Sequence, residues 1–339
     1  MHAVPVIDIS ALRSTDDSPA ATSAVAAALD SACRDTGFFC IVGHGVSCDL
    51  MSSLDRCARA FFALPTSTKS SIAMANGGRA WRGWFPLGGE MTNGIPDRKE
   101  GIYFGSELGD DDPRVATAVP LHGANQFPAE LPELRDAVLA WIDALTEMGH
   151  LVLGGLAAGL GLTRNWFRTE LASDPTILFR IFRYPPHDVA AASPLGIETG
   201  EWGVAEHTDY GLLTMLLQDD CGGLQVHGRD GWIEVEPIAG SFVCNIGDML
   251  ERITGGRYRS TPHRVRNISD RERLSFPFFF DPSWGAMINP PPLDGGSGPD
   301  AEARQRWDGR SVFEFEGTYG EYLTAKVAKV FPALVDVLS

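Results

Sequence analysis

Short apolar runs separated by turn residues dominate the chain from about residue 177 onward. Examples are "ILFRIFRYPP", "LLTMLLQ", "GGLQVHG", "WIEVEP", "SFVCNIGD", "HRVRNI" and "RLSFPFFFDP". Several short strands with turns between them are typical of an antiparallel barrel or sandwich. The second half of the chain is therefore predicted to form a β core.

The first half of the chain has a different periodicity, with apolar residues recurring at helical spacing over residues 131–161. This spacing places them on one stripe and predicts a single long helix with a break near Gly149. The other elements predicted outside the β core are helices at about 18–34, 48–63 and 317–331, strands at 4–9 and 37–46, and an irregular loop at 75–98.

The sequence pattern changes from helical spacing to short strand-like runs near residue 175, which raises the question of whether the chain contains two domains. Its 339 residues are compatible with two units of about 150 residues, but β-rich folds often run longer as one. No flexible linker composition occurs near the change, so we predict one folded unit of the α+β class. Within residues 1–339, the predicted parts are a helix-rich region at about 1–175, the β core at about 176–316 and a C-terminal helix at about 317–339.

Charge and cysteine usage narrow the class of protein. The formal net charge is −16 and the isoelectric point is about 4.9, which argues against nucleic acid or an anionic membrane as a partner. The start "MHAVPVIDIS" lacks the pattern of a signal peptide, and no apolar run approaches the ~20 residues of a membrane helix. The six cysteines lack CxxC spacing, which favours reduced thiols. Together these features predict a cytoplasmic protein.

The stretch "AEHTDYG" at residues 205–211 contains the first candidate for chemistry. Residues two apart on a strand point to the same face, so His207 and Asp209 are expected to project together. Two histidines and one carboxylate form the facial arrangement that binds non-haem Fe(II). His263, which precedes a strand-like run, is the candidate for the second histidine, and His227 is its main rival. Alternatively, the isolated pair is an ordinary turn that contains a hydrogen-bonded histidine.

A second pair with the same spacing occurs in "RERLSFPFFF", where Arg273 and Ser275 share a strand face. An arginine fork binds a carboxylate through two hydrogen bonds, and a serine hydroxyl supplements it. A carboxylate cosubstrate would then extend from the metal to Arg273. A single Arg-x-Ser pair is more often part of a solvated strand face, but the two pairs together favour a site.

With these motifs, the sequence resembles the isopenicillin N synthase-like family of Fe(II)/2-oxoglutarate-dependent oxygenases. The shared segments run in the family's order: "VPVIDIS", "GFFCIVGHGV", "DRKEGIYFG", "RYPP", "HTDYGLLTML", "VCNIGDMLERIT", "RYRSTPHRV" and "RLSFPFFFDP". They extend from about residue 4 to residue 331, nearly the whole chain. The resemblance implies a double-stranded β-helix, or jelly roll, with flanking helices that are mainly N-terminal and an iron site inside the core.

The resemblance also implies roles for individual residues. The family's three iron ligands correspond to His207, Asp209 and His263. The family's residues that hold 2-oxoglutarate correspond to Arg273, Ser275 and Tyr184. The family often has an asparagine two residues before this tyrosine, and here Phe182 stands in its place, so any hydrogen bond from that asparagine is missing.

The family's chemistry implies the activity. Fe(II), 2-oxoglutarate and O2 would oxidise a small-molecule substrate by hydroxylation, desaturation or cyclisation, with release of succinate and CO2. Two related activities stay open: an iron oxidase that works without 2-oxoglutarate, and an ethylene-forming enzyme that fragments 2-oxoglutarate. A protein-modifying oxygenase and a binding protein with a decayed site are further alternatives, and the intact ligand pattern argues against the last.

Substrate contacts are harder to predict, because the resemblance implies that they lie in the N-terminal region and in loops at the mouth of the core. The stretch "GGRAWRGWFPLGGE" places Trp81 and Arg82 among glycines, and an arginine next to a tryptophan suits an acidic or planar molecule. Arg180 and Arg183, in "RIFRYPP", are further candidates for the pocket. The alternative is a loop packed on the core, with its arginines stacked on tryptophans. The sequence does not indicate a protein partner.

Overall fold

The computed structural model describes residues 4–13, 19–187, 201–289 and 311–330. Its strands form an eight-stranded sheet, a four-stranded sheet and a two-stranded hairpin. The described strands, in chain order, are β1 (Val6–Asp8), β2 (Phe38–Val42), β3 (Gly83–Phe85), β4 (Met91–Thr92), β5 (Ile95–Pro96), β6 (Glu100–Gly105), β7 (Pro175–Tyr184), β8 (Val204–His207), β9 (Leu213–Gln218), β10 (Leu224–Gly228), β11 (Gly231–Glu234), β12 (Phe242–Ile246), β13 (His263–Val265) and β14 (Arg273–Ser283).

Helices flank the sheets, and the longest of them packs against the larger sheet and against four other helices. A 3₁₀ turn spans Met74–Ala80. The described helices are α1 (Ser10–Arg13), α2 (Pro19–Asp35), α3 (Cys48–Ala63), α4 (Thr66–Ser71), α5 (Pro113–Ala116), α6 (Glu133–Gly159), α7 (Trp166–Glu170), α8 (Asp248–Ile253) and α9 (Tyr319–Val330).

The two larger sheets enclose the interior of the molecule. The eight-stranded sheet has the order β1-β2-β12-β9-β14-β7-β6-β3, and the four-stranded sheet has the order β11-β10-β13-β8. Within the described ranges, β1 and β2 pair in parallel, and the other paired strands are antiparallel. Side chains of both sheets line one cavity. This arrangement is a jelly roll with flanking helices, so the predicted α+β fold class is confirmed.

The N-terminal region contributes more to the sheets than the sequence predicted. β1, β2, β3 and β6 all belong to the eight-stranded sheet, so this sheet begins well before residue 175. β6 was not predicted because all of its residues are buried, which removes the polar alternation of a half-buried strand. The segment predicted as an irregular loop at 75–98 also contains β3 and the β4–β5 hairpin.

The predicted break in the long helix near Gly149 is wrong, because α6 is continuous from Glu133 to Gly159. A Cβ built on Gly149 would lie 2.4 Å from Cδ2 of Phe280, which belongs to β14. The glycine therefore permits close packing of helix against sheet. By length and composition α6 could cross a membrane, but 56% of its most apolar window is buried inside the protein, as in a core helix.

We expect Gly149→Ala to lower the free energy of unfolding by about 1–3 kcal/mol, because the added methyl group overlaps a closely packed aromatic ring. Phe280 is fully buried, so its ring has little room to move away. Urea unfolding followed by circular dichroism measures the change. Gly285→Ala is the matched control, since a Cβ there meets no atom within 4 Å. Equal stability of the two variants would contradict the packing role of Gly149.

Candidate active site

A cavity of about 580 Å³ lies between the two larger sheets. Its wall includes side chains from β7, β9 and β14 of the eight-stranded sheet and from β8, β10 and β13 of the four-stranded sheet. The β4–β5 hairpin and α9 also contribute side chains to the wall. Ligand cavities typically measure about 300–1,000 Å³, so this one suits a small molecule.

The three predicted metal ligands lie together in this cavity. His207 ends β8, His263 begins β13, and the two residues are direct partners across this antiparallel strand pair. Asp209 Oδ1 lies 3.7 Å from the Nε2 atom of each histidine, so three ligand atoms converge on one point. The rival His227 is an exposed residue of β10, and its ring contacts Trp232 instead.

Backbone carbonyl groups fix the orientation of both imidazole rings. His207 Nδ1 lies 2.9 Å from the carbonyl oxygen of Ala205, and His263 Nδ1 lies 3.2 Å from that of Thr261. Because a carbonyl oxygen only accepts, each Nδ1 carries the proton, and each Nε2 lone pair is left for a metal. Burial, and then the nearby His263, lower the pKa of His207, so its ring is neutral at pH 7 as a ligand must be.

Asp209 is held by two side chains that the sequence analysis missed. Its Oδ2 atom accepts hydrogen bonds from Thr214 Oγ1 at 2.6 Å and from Asn245 Nδ2 at 2.7 Å. Burial acts to raise the pKa of Asp209, but the two histidines and these hydrogen bonds outweigh burial and lower it. The carboxylate is therefore ionised, with Oδ1 left for a cation. The signal for Asn245 is a polar residue inside the apolar strand "FVCNI".

This donor set fits Fe(II). Two imidazole nitrogens and one carboxylate oxygen form the facial triad of non-haem iron oxygenases, which leaves coordination positions open for other ligands. The three ligand atoms all lie within 4.8 Å of one another, close enough to surround one ion. The neutral ring of His207 and the ionised carboxylate of Asp209 have the protonation states that a divalent metal requires.

Arg273 places a buried positive charge in the same cavity. Its Nε donates to the carbonyl oxygen of Gly222 at 2.6 Å, and its Nη2 donates to Gln218 Oε1 at 3.1 Å. Among the residues that the structure describes, no carboxylate pairs with this guanidinium, and Nη1 has no hydrogen-bond acceptor. An unpaired buried donor costs roughly 1–3 kcal/mol, so the site favours an anion brought by a ligand.

Tyr184 and Ser275 lie beside Arg273. Tyr184 is the partner of Arg273 across β7 and β14, and its ring centroid is 4.8 Å from the guanidinium carbon. The Tyr184 hydroxyl lies 3.3 Å from Ser275 Oγ, and all three residues line the cavity. The residues predicted to bind a metal and those predicted to bind a carboxylate cosubstrate therefore share one cavity.

Two residues predicted to contact substrate lie outside the cavity wall, which corrects the sequence analysis. Arg82 and Trp81 are both buried, and neither lines the cavity. Arg82 Nη1 donates to the carbonyl oxygen of Ser106 at 2.7 Å and also bonds to the carbonyl oxygen of Gly123. Its guanidinium therefore bonds to backbone oxygens. The alternative interpretation, a loop packed on the core, describes this segment better.

Arg183, the third predicted substrate contact, also lies outside the cavity wall. Successive residues of a strand face opposite sides, so Arg183 points away from the side that Tyr184 shares with the cavity. Arg183 pairs there with Glu100 Oε1 at 2.5 Å and with Glu272. Arg180, three positions earlier, does line the cavity.

Two family models match the chain. Residues 4–130 match the N-terminal model of a non-haem dioxygenase in morphine synthesis, and residues 175–282 match the 2OG-Fe(II) oxygenase superfamily. The second range contains the three converging ligand residues as well as Arg273 and Ser275. The part of the chain with the strongest chemical pattern is therefore the part that matches the oxygenases.

Known relatives are similar over nearly the whole chain. A protein from Dictyostelium discoideum named as an iron/ascorbate oxidoreductase is 43% identical, covering 98% of this chain and 95% of the relative. A homoarginine-6-hydroxylase from Arabidopsis thaliana is 36% identical, covering 97% of each chain. A 1-aminocyclopropane-1-carboxylate oxidase from Dictyostelium mucoroides is 35% identical, covering 98% of this chain and 96% of the relative.

Solved structures show the same architecture. A protein from Caulobacter crescentus assigned to the 2OG-Fe(II) oxygenase family superposes with a TM-score of 0.75 at 28% identity, over 97% of this chain and 100% of the other. A full-length protein from Neurospora crassa in complex with alpha-KG, which is 2-oxoglutarate, superposes with a TM-score of 0.74 at 25% identity, over 96% of each chain. The chain belongs to the 2OG-Fe(II) oxygenase superfamily, which is named for its iron and its 2-oxoglutarate cosubstrate.

Proposed function

We propose that this protein hydroxylates a carbon–hydrogen bond of a small molecule and converts 2-oxoglutarate to succinate and CO2 in the same reaction. One atom of O2 enters the product hydroxyl group, and the other enters succinate. The residues that hold Fe(II) in this proposal are His207, Asp209 and His263. The residues that bind the far carboxylate of 2-oxoglutarate are Arg273, Ser275 and Tyr184.

The unpaired Nη1 atom of Arg273 is the observation that carries this proposal, because it lies in the same cavity as the converging ligand atoms. A dicarboxylate such as 2-oxoglutarate can bind at both positions at once, with one carboxylate at the metal and the other at the Arg273 guanidinium. Bound Fe(II) would supply the activation of O2. The protein's own residues orient the cosubstrate, and apolar side chains such as Leu216 and Leu224 exclude water.

The names of two relatives support a small polar substrate. The Arabidopsis relative is named for hydroxylating homoarginine, and the Dictyostelium relative is named for oxidising 1-aminocyclopropane-1-carboxylate. Both compounds are amino acids. A cavity of about 580 Å³ has room for a molecule of this size beside 2-oxoglutarate.

Two measurements test the proposal on the purified protein. Anaerobic addition of 2-oxoglutarate to the Fe(II)-loaded protein should produce a metal-to-ligand charge-transfer band. In air, the protein should form succinate, and a substrate found in a panel of small metabolites should accelerate its formation. If 2-oxoglutarate gives neither the band nor succinate, the proposal is wrong.

The relative named as a 1-aminocyclopropane-1-carboxylate oxidase favours a second candidate, an iron oxidase that does not consume 2-oxoglutarate. Arg273 would then bind the carboxylate of a different molecule. Oxidation of 1-aminocyclopropane-1-carboxylate by the Fe(II)-loaded protein without 2-oxoglutarate would identify this activity. Ethylene in the headspace above protein supplied with 2-oxoglutarate alone would identify the ethylene-forming type instead.

A further inference from the structure

A second guanidinium, that of Arg180, faces the cavity. Leu178, Arg180, Phe182 and Tyr184 lie on one side of β7, and all four line the cavity. At about 3.3 Å per residue, Arg180 stands roughly 13 Å along the strand from Tyr184. It therefore lies well away from the proposed carboxylate site around Arg273, and the cosubstrate leaves it available.

Arg180 is held in place by rings rather than by hydrogen bonds. Its guanidinium carbon lies 4.2 Å from the ring centroid of Tyr103 and 4.8 Å from that of Phe279. Its Nη1 atom lies 3.5 Å from Glu90 Oε1. Across the described part of the chain, the buried Nε of Arg180 has no hydrogen-bond acceptor. Arg180 therefore lines the cavity with an unsatisfied Nε, and the contact of its Nη1 atom with Glu90 is a long one.

Glu90 and Lys99 complete the polar surroundings of Arg180, and the sequence analysis singled out neither of them. Lys99 Nζ lies 2.9 Å from Glu90 Oε2 and 2.6 Å from Asp97 Oδ2. The Tyr103 hydroxyl donates to Glu90 Oε1 at 2.5 Å. We define Glu90, Asp97, Lys99 and Arg180 as the charged cluster, in which two carboxylates balance two cations. Three of its members line the cavity, namely Glu90, Lys99 and Arg180.

We propose that the prime substrate is a zwitterionic amino acid, whose carboxylate pairs with Arg180 and whose ammonium group lies beside Glu90. This inference rests on the proposed function and names the substrate class of the same cavity. A zwitterion leaves the buried charged cluster balanced, whereas a lone anion or cation would add an uncompensated charge there. Arg180 suits the carboxylate because two N–H groups of a guanidinium match its two oxygens.

The test measures ligand binding to the protein loaded with Fe(II) and 2-oxoglutarate under anaerobic conditions, by the change in its charge-transfer band. The probes are the standard protein amino acids, L-homoarginine and 1-aminocyclopropane-1-carboxylate, each compared with its methyl ester. We expect at least one acid to bind. Its ester should bind at least about 30-fold more weakly, because it cannot form the buried charge pair with Arg180.

Substitutions then test the residue itself. Arg180→Gln should weaken binding of that acid by at least about 30-fold, and Arg180→Lys, which keeps the charge but loses the fork, should weaken it less. Arg183→Gln is the matched control, because Arg183 lies on the same strand but outside the cavity wall. Its affinity for the acid should change by less than about twofold.

Three results would overturn the inference: an ester that binds as tightly as its acid, equal affinity of the Arg180→Gln and Arg183→Gln variants, or no binding by any acid of the panel. Each of these leaves the proposed function intact, provided that 2-oxoglutarate still produces the charge-transfer band. A missing band overturns the proposed function and this inference with it. If Arg180→Gln fails to fold, the comparison of acid with ester on the unaltered protein decides.

Discussion

Asp209→Ala will abolish succinate formation and weaken Fe(II) binding by more than about 100-fold, since losing a mere hydrogen-bond partner of a metal ligand already costs about 10–100-fold. Asp209 supplies the negative charge of the converging ligand group, and its Oδ1 atom lies 3.7 Å from both histidine Nε2 atoms. Without it, a divalent cation would enter a buried site that offers only two neutral rings. Iron content after gel filtration and succinate yield measure the two effects.

The surroundings of Asp209 provide a graded comparison and a control. Asn245→Ala removes the hydrogen bond of 2.7 Å to Asp209 Oδ2, and we expect it to weaken Fe(II) binding by about 10–100-fold. Asp220→Ala removes an exposed carboxylate from a second group of potential ligands, Asp219, Asp220 and Cys221, and should leave iron content unchanged. If Asp209→Ala retains iron and Asp220→Ala loses it, the metal binds at that surface turn and not in the cavity.

The second large effect is expected at Arg273. Arg273→Ala will raise the 2-oxoglutarate concentration for half-maximal succinate formation by roughly 30- to 5,000-fold, the range for losing one partner of a buried charge pair. The half-saturating concentration of Arg273→Lys should lie between those of the unaltered protein and of Arg273→Ala. Lysine keeps the positive charge, but its ammonium group cannot bond Gly222, Gln218 and a ligand carboxylate with the geometry of a guanidinium. Succinate formation measured over a range of 2-oxoglutarate concentrations gives these values.

Arg271 supplies the control for this experiment. It lies two residues before Arg273, is largely exposed and pairs with Asp220 at 3.0 Å. Arg271→Ala should change the half-saturating 2-oxoglutarate concentration by less than about twofold. If Arg273→Ala leaves that concentration unchanged as well, the far carboxylate of 2-oxoglutarate binds elsewhere in the cavity.

Strand alternation explains why the metal and carboxylate residues could be predicted. The two-residue spacing of His207 and Asp209 indicated a shared face, and the two side chains do converge, although β8 ends at His207. The same spacing indicated the pair of Arg273 and Ser275. His263 was preferred to His227 because it precedes a strand-like run and because the family resemblance implies it. The register of β13 against β8 settles its position opposite His207, and one sequence does not display that register.

The residues around the substrate were harder to predict because their directions depend on distant parts of the chain. Arg82 had the right chemistry, but backbone carbonyl groups from another segment take up its donors. Arg180 and Arg183 look alike in the sequence. Arg180 lies four residues before Tyr184 and faces the cavity with it, whereas Arg183 lies one residue before Tyr184 and faces the other side of the strand. The role of Glu90 could not be predicted from its neighbours in the sequence, because it depends on ion pairs with Lys99 and Arg180 that only the fold brings together.

The β4–β5 hairpin has a consequence for how new activities could arise in this protein. Its residues 91–94 form part of the cavity wall, and its Asn93 side chain donates to the carbonyl oxygen of Glu206 at 3.1 Å, next to His207. The proposed iron and oxoglutarate contacts come from other segments. A hairpin exchanged with that of a relative would therefore reshape this part of the cavity wall, while the residues of the oxidising centre stay the same. Selection and engineering could then alter the substrate range separately from the chemistry.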